Sequence, residues 1–160
     1  MRLWDVKKGS AIRVLEGHKK IVNSVCFSPS GDQIASGSYD NTVRIWNANT
    51  GNCVHEMSGT IGIINSVSFA RNSKYLVGAG EADRLQFWDA KTGECFLYRY
   101  SFGPNSWLAL LPDGRFDASQ EGLRKLAFTD IENICSVPAE DLVKEFHRPE
   151  DVQAVIDGYL

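Results

Sequence analysis

An internal repeat of 42 residues limits the possible folds of this chain more than any other feature of its sequence. Trp4, Trp46 and Trp88 follow one another at that interval. Five further pairs keep the same offset: Gly17 with Gly59, Asn23 with Asn65, Phe27 with Phe69, Gly51 with Gly93, and Cys53 with Cys95. A period of about 40–45 residues is typical of chains built from stacked supersecondary units.

Each repeat contains short runs in which apolar and polar residues alternate. In the first complete repeat these runs cover 21–27, 34–38 and 43–47, and turn-forming residues at 29–31 and 39–41 separate them. Alternation at period two predicts β-strands, and Pro, Ser, Gly, Asp and Asn predict the turns. With a fourth, outer strand in each unit, the pattern indicates the blades of a β-propeller.

The ends of the repeat resemble the WD-repeat family. Gly17-His18 stands near its start, Trp4-Asp5 and Trp88-Asp89 stand near its end, and Asn47 follows Trp46 in the middle copy. The resemblance covers residues 1–100. It implies an all-β fold, a partial WD-repeat β-propeller of four-stranded antiparallel blades with a short helical tail. The chain then begins inside a blade, and complete blades follow at 21–57 and 63–100.

The resemblance also assigns a structural tetrad to His18, Ser36, Asp40 and Trp46. An Asp in a turn accepts an imidazole N–H, and the ring contacts a Ser hydroxyl that accepts the indole N–H. A Ser, a His and an Asp can also form a hydrolase triad. The structural role is favoured, because no Gly-x-Ser-x-Gly motif is present and Ser36 lies within a predicted strand. The corresponding positions of the second blade are Thr60, Gly78, Ala82 and Trp88, and only the Trp is retained.

The resemblance places partner-binding residues on one rim of the blades, here called the top face. They are the third and fifth residues after the His position and the residue before the turn Asp: Ile21, Asn23, Tyr39, Ile63, Asn65 and Glu81. Exposed aliphatic and aromatic side chains are typical binding hot spots. The alternative is that these six are ordinary rim residues.

A third, degenerate blade is predicted after the second. Residues 110–114 match 27–31 at an offset of 83, which places a second strand at 117–119 and a third at 126–130, with Thr129 in the Trp position. Pro and acidic residues at 138–141 and 149–151 then predict the starts of two helices. We therefore expect two domains, a partial propeller at 1–137 and a helical tail or linker at 138–160, with His147 in the tail facing solvent.

A second, weaker resemblance concerns the C-terminal part. Residues 112–115, 117–119 and 146–149 are similar to a segment that ends bacterial WD-repeat propellers ahead of a caspase-like or other effector domain. It implies an alternative function, in which the chain is the sensor or regulatory module of a larger enzyme such as a caspase-like peptidase.

Composition excludes several classes of function. With 17 basic and 20 acidic residues, the net charge of −3 gives no basis for phosphate-driven nucleic-acid binding. No apolar run approaches the roughly 20 residues of a membrane helix, and no apolar stretch marks a signal peptide. The four cysteines form no Cys-x-x-Cys pair. They predict free thiols in a cytoplasmic protein without a metal or cofactor site.

The sequence thus predicts a non-catalytic scaffold that binds a protein or peptide partner. Because it holds fewer than four blades, we expect unmatched blade faces and therefore either a homo-oligomer or a fragment of a larger propeller.

Overall fold

The computed structural model describes residues 1–58, 62–81, 84–129 and 139–160, with the backbone alone at 125–129 and 139–142. The chain forms two compact units: Met1–Ala82 with Gln86–Glu94, and Asp83–Leu85 with Cys95–Leu160. The predicted division between a partial propeller at 1–137 and a helical tail or linker at 138–160 stays a prediction, since residues 130–138 lie outside the described residues.

The first unit is a series of antiparallel strands. Their bounds are β1 Arg2–Asp5, β2 Ser10–Val14, β3 Val22–Phe27, β4 Gln33–Ser38, β5 Val43–Asn47, β6 Cys53–Met57, β7 Ile64–Phe69, β8 Tyr75–Gly80 and β9 Arg84–Asp89. Strands β3 to β6 form a four-stranded sheet in chain order, β1 pairs with β2, and β7, β8 and β9 are neighbours in that order. This is the architecture of the predicted blades, and it confirms the all-β fold class.

The core of the first unit lies around strands β4 and β5. Trp46 packs with Leu15, Ile34 and Ala48, and the preceding hairpin adds Met1 and Leu3 to the same cluster. Alternation alone predicts one buried face per strand, yet β4 and β5 are buried along almost their whole length. Both strands lie in the interior of the sheet, with packing on each side.

Strands β3 and β4 of the first complete blade pack against β7 of the second. The Asn23 Nδ2 donates to the Ile64 carbonyl at 3.2 Å, and the Val67 amide donates to Ser24 Oγ at 3.1 Å. Gly37 makes this approach possible, because a Cβ atom there would lie 2.9 Å from Val67 Cγ1. The residue that faces the next blade must therefore lack a side chain.

The turn after the third strand of each blade is fixed by one side chain. In Asp5, Asn47 and Asp89 the Oδ1 atom accepts the backbone N–H groups two and three residues later, at 2.7–3.0 Å. A glycine with positive φ closes each turn: Gly9 at 62°, Gly51 at 82° and Gly93 at 76°. The acidic residue of the Trp-Asp pair is thus a turn cap, which explains why Asn47 replaces it.

The second unit combines strands and helices. Its elements are β10 Cys95–Gly103, β11 Ser106–Leu110, β12 Phe116–Ala118, α1 Gln120–Thr129, α2 Ala139–Phe146 and α3 Pro149–Tyr159. Strand β11 lies between β10 and β12, in antiparallel pairing with both. The two predicted C-terminal helices are confirmed as α2 and α3.

The prediction of a third strand at 126–130 is wrong, because residues 126–129 lie in α1 and Asp130 lies outside the described residues. Ser119 explains the helix, since its Oγ accepts the Gly122 amide at 3.0 Å as an N-cap does. The strand expected at 117–119 is present as β12, one residue earlier.

His147 is half-buried at the junction of α2 and α3, so the expectation that it faces solvent is also wrong. Its Nε2 lies 3.3 Å from Asp117 Oδ1, and its ring packs on Phe116 with the centroids 5.4 Å apart. The Arg148 amide donates to the Phe116 carbonyl at 2.8 Å. These contacts attach the helices to β12.

Candidate functional site

The structure brings the four residues of the predicted tetrad into one hydrogen-bonded chain. Trp46 Nε1 donates to Ser36 Oγ at 2.8 Å, Ser36 Oγ lies 2.7 Å from His18 Nε2, and His18 Nδ1 lies 2.9 Å from Asp40 Oδ2. The indole N–H can only donate, so the Ser36 hydroxyl proton is left for Nε2. The neutral imidazole then carries its proton on Nδ1 and donates it to Asp40.

Asp40 is the ionised end of this chain. Its carboxylate accepts the Thr42 hydroxyl at 2.7 Å, the Thr42 amide at 3.1 Å and the Lys19 amide at 2.8 Å, besides the His18 ring. Burial raises the pKa of Asp40, but the hydrogen bonds from Thr42, Lys19 and His18 outweigh it and hold the pKa well below its usual range. The carboxylate and the imidazole are each only 5% exposed.

The environment of Ser36 favours the structural role over the hydrolase triad. Its side chain is fully buried in β4, and its oxygen already accepts the Trp46 N–H. A nucleophile has to reach a substrate carbonyl, and the walls of the blade cover this hydroxyl. The network instead satisfies polar groups that folding buries and so connects β4, β5 and the His18 segment.

The second blade has other residues at the positions of the tetrad. Thr60 and Ala82 lie outside the described residues, so the comparison rests on Gly78 and Trp88. A Cβ atom on Gly78 would lie 2.8 Å from Trp88 Cζ3, so the buried indole packs directly on the Gly78 backbone. A serine cannot fit there as Ser36 does in the first blade.

Arg44 is a buried residue that the sequence patterns missed. Its guanidinium pairs with Glu56 at 2.5 Å and lies over Trp46, 5.7 Å from the ring centroid. Gly17 is required beside it, because a Cβ atom there would collide with the guanidinium group. The alternation of apolar and polar residues along β5 does not predict this ion pair. From that pattern alone, a charged residue is expected to point to solvent.

The top face presents an aliphatic side chain on a fixed backbone. Ile21 is 67% exposed, and its carbonyl accepts both the Tyr39 amide and the Ser38 hydroxyl at 2.9 Å. Tyr39 is distant from Ile21 in sequence, but the hydrogen bond between their backbones holds the two residues together. The Tyr39 side chain is also exposed. The structure therefore brings Ile21 and Tyr39 together, as the resemblance implies.

The top faces of the two blades are joined by asparagines. Asn23 Nδ2 lies 3.4 Å from Asn65 Oδ1, in addition to its bond to the Ile64 carbonyl. Asn65 and Glu81 are exposed, and Ile63 is half-buried. Asn23 and Asn65 thus connect the rims of the two blades.

No metal or membrane-spanning feature stands out in the described parts of the chain. Across these residues no three His, Cys, Asp or Glu side chains are grouped so as to hold a metal ion. None of the described helices is long and apolar enough to cross a bilayer. Cys26, Cys53 and Cys95 are free thiols, and Cys135 lies outside the described residues.

Comparison with known proteins agrees with the fold. Residues 9–47 and 51–89 both match the family described as WD domain, G-beta repeat. Among curated proteins, guanine nucleotide-binding protein subunit beta-5b of Danio rerio is 48% identical over 44 residues, which is 28% of this chain and 11% of that protein. The Periodic tryptophan protein 2 homolog of Schizosaccharomyces pombe is 45% identical over 42 residues, 26% of this chain and 5% of that protein.

A third match is Ribosome assembly protein 4 of Saccharomyces cerevisiae, at 44% identity over 45 residues, 28% of this chain and 9% of that protein. These matches span about a tenth or less of the relatives' length. Two segments of the chain thus match the WD repeat, and the antiparallel blades have the fold of a partial WD-type β-propeller. The family matches at 9–47 and 51–89 do not reach residues 112–149, so the resemblance to a bacterial propeller-ending segment stays a prediction.

Proposed function

We propose that this chain is a protein-interaction module whose top face binds a protein or peptide partner. The observation that carries the proposal concerns Ile21. Its large aliphatic side chain is exposed, and two hydrogen bonds to its carbonyl group hold its backbone in place. A rigid, exposed apolar group loses little conformational entropy on binding, which is the physical basis of a hot spot. Tyr39 supplies an adjacent aromatic anchor.

The names of the relatives support a role in multi-protein assemblies. One is a subunit of a guanine nucleotide-binding protein and another is a ribosome assembly protein. We infer for this chain the general property of scaffolding, with a protein partner and without a catalytic step. A cytoplasmic location fits the free thiols of Cys26, Cys53 and Cys95.

Affinity measurements on surface variants test the proposal. Peptides would be selected on the full chain from a displayed library, and the Kd of the best binder would be measured by isothermal titration calorimetry. We expect Ile21→Ala and Tyr39→Ala each to weaken binding about tenfold, the loss typical of a hot-spot residue. The matched control is Val6→Ala, since Val6 is also an exposed aliphatic but lies in the turn at the opposite end of a blade.

The same titrations define failure. An Ile21→Ala, Tyr39→Ala double variant with unchanged circular dichroism that binds as tightly as the wild type places the binding site elsewhere. If Val6→Ala weakens binding equally, binding at the top face is also refuted, because the loss of affinity then does not depend on the position of the residue.

A further inference from the structure

The turns at one end of the second blade carry three unpaired cations. Arg71 and Lys74 lie in the turn between β7 and β8, Lys91 lies in the turn after β9, and all three side chains are exposed. None of them forms an ion pair in the described parts of the chain. Their charges are therefore available to an anionic partner.

The backbone holds these two turns side by side. The Ala90 amide donates to the Lys74 carbonyl at 2.9 Å, and Lys91 follows Ala90 directly. The Ser73 amide donates to the Ala70 carbonyl at 2.9 Å and closes the first of the two turns. The three cations thus stand on two turns that hydrogen bonds fix to one another.

The first complete blade has the same backbone contact without the cations. There the Ala48 amide donates to the Asp32 carbonyl at 2.8 Å. The residues 42 positions before the three cations are Pro29, Asp32 and Asn49. Because the contact forms with a neutral and acidic set of side chains, the turns do not require cations in order to fold. The positive charge is a property of the second blade.

Two carboxylates lie near these turns, and neither neutralises the cations. Asp89 is half-buried, and its Oδ1 accepts the Lys91 and Thr92 amides at 2.7 and 2.8 Å as a turn cap. Glu94 is exposed three residues after Lys91, and no ion pair joins the two among the described residues. Positive charge is therefore in excess at this end of the blade.

We infer that Arg71, Lys74 and Lys91, here called the basic turns, bind an acidic segment of a partner protein, an extended run of Asp and Glu residues. The planar guanidinium of Arg71 can hold one carboxylate through two parallel hydrogen bonds, and the two lysines add point charges beside it. The whole chain has a net charge of −3, so attraction of an acidic segment has to come from this local cluster.

The basic turns are separate from the top face. They lie after the last residues of β7 and β9, whereas Asn65 lies near the first residue of β7 and Glu81 follows the last residue of β8. In an antiparallel blade these positions are at opposite ends of the strands. The inference therefore goes beyond the proposed function.

Two other anionic partners fit the basic turns less well. Patches that bind anionic lipid carry about four to eight Lys and Arg residues, and this cluster has three. Single-stranded nucleic acid needs aromatic rings on which bases stack. Tyr75 beside Lys74 is half-buried, and its ring lies 6.1 Å from that of Phe87. An acidic peptide needs only the charges that the turns supply.

Fluorescence anisotropy with fluorescein-labelled hexaglutamate tests the inference on the full chain. We expect Lys74→Glu, Lys91→Glu to raise the Kd about tenfold or more, because each change sets a like charge against the peptide. Raising the ionic strength from about 0.05 M to about 0.3 M should also weaken binding to the wild type, since it shortens the range of electrostatic attraction.

The matched control is Lys7→Glu, Lys8→Glu. These two lysines are exposed in the turn after β1, and Lys7 lies two repeats before Lys91. The control changes the total charge by the same amount as the test variant. We expect its Kd to stay within about twofold of the wild-type value, because the attraction is local. Circular dichroism of both variants confirms that they are folded.

A second measurement does not depend on the folding of a variant. Unlabelled hexaglutamate is titrated into the ¹⁵N-labelled wild type, and we expect the largest amide shift changes at 70–74 and 89–93. Three results would overturn the inference. The control weakens binding as much as Lys74→Glu, Lys91→Glu does, or the shift changes are spread over the lysines of all turns. Alternatively, the test variant loses binding to phosphatidylserine vesicles but keeps its affinity for hexaglutamate, and the partner is then a membrane surface.

Discussion

Replacement of Asp40 by alanine is expected to lower the free energy of unfolding by about 2–3 kcal/mol at neutral pH. The carboxylate accepts four donors: His18 Nδ1–H at 2.9 Å, the Lys19 amide at 2.8 Å, and the Thr42 amide and hydroxyl at 3.1 and 2.7 Å. The Lys19 amide is exposed and can donate to water instead. The His18 ring is only 5% exposed, so its buried N–H loses its charged acceptor and has only the neutral Thr42 hydroxyl, 3.2 Å from Nδ1, in its place.

The magnitude follows from that buried donor. A hydrogen bond to a charged group contributes about 1.5–3 kcal/mol, and here it is lost from a buried donor. For a chain of this size, the loss corresponds to a decrease in Tm of about 4–12 °C. Thermal melts and urea titrations followed by circular dichroism and tryptophan fluorescence measure both quantities.

The pH dependence gives a second check on the same variant. Because the pKa of Asp40 is lowered in the folded state, its contribution is complete above the unfolded carboxyl pKa of about 4 and is lost as the pH falls toward the folded value. The stability difference between the wild type and Asp40→Ala should therefore be constant above pH 5 and should shrink below pH 4.

The matched control is Asp5→Ala. Asp5 also accepts two backbone amides, at 2.9 and 3.0 Å, but in an exposed turn, so its loss should cost about 0.5–1 kcal/mol. If Asp40→Ala destabilises the chain no more than Asp5→Ala, the buried network does not stabilise the blade and the reasoning above is refuted.

Three further changes test other parts of the structure by the same melts. Ser73→Gly should stabilise the chain by about 0.5–1 kcal/mol, because Ser73 holds a φ of 59° where the first blade has Gly31; an unchanged or lower Tm would contradict this. Gly37→Ala should cost about 2 kcal/mol or more, because the methyl group meets Val67 and Ile64; a neutral result would mean that the blades can separate. Glu56→Gln should cost about 1 kcal/mol and weaken the salt dependence of stability, because Arg44 loses its charged partner; a salt dependence equal to that of the wild type would rule this out.

Features that recur at the 42-residue interval could be predicted from the sequence. The blades and their turns follow from residue types at fixed spacing, because each repeat has to bury the same kind of surface. The grouping of His18, Ser36, Asp40 and Trp46 was implied by the family resemblance alone, since only the Trp recurs in the second blade. The top-face residues come from the same resemblance, and their role in binding stays a prediction.

Features that depend on a single local contact could not be predicted in this way. Residues 126–129 alternate in a manner that fits a strand, but the Ser119 cap starts a helix just before them. In the turn after β7, Asn is the residue type that tolerates left-handed geometry, yet Ser73 rather than Asn72 has the positive φ, at 59°. Arg44 is buried because Glu56 and Trp46 lie beside it. The alternation of apolar and polar residues along the strand predicts neither contact.

The central claim is that the top face is where this WD-repeat chain binds its partner. Nuclear magnetic resonance of the ¹⁵N-labelled chain, titrated with a selected peptide, tests it most directly. The account predicts that the largest amide shift changes cluster at 19–23, 39–42, 62–66 and 81, on the rim that Ile21, Asn23 and Asn65 share. Shift changes that cluster instead in the turns at 5–9 and 47–51, at the opposite end of the blades, would contradict it.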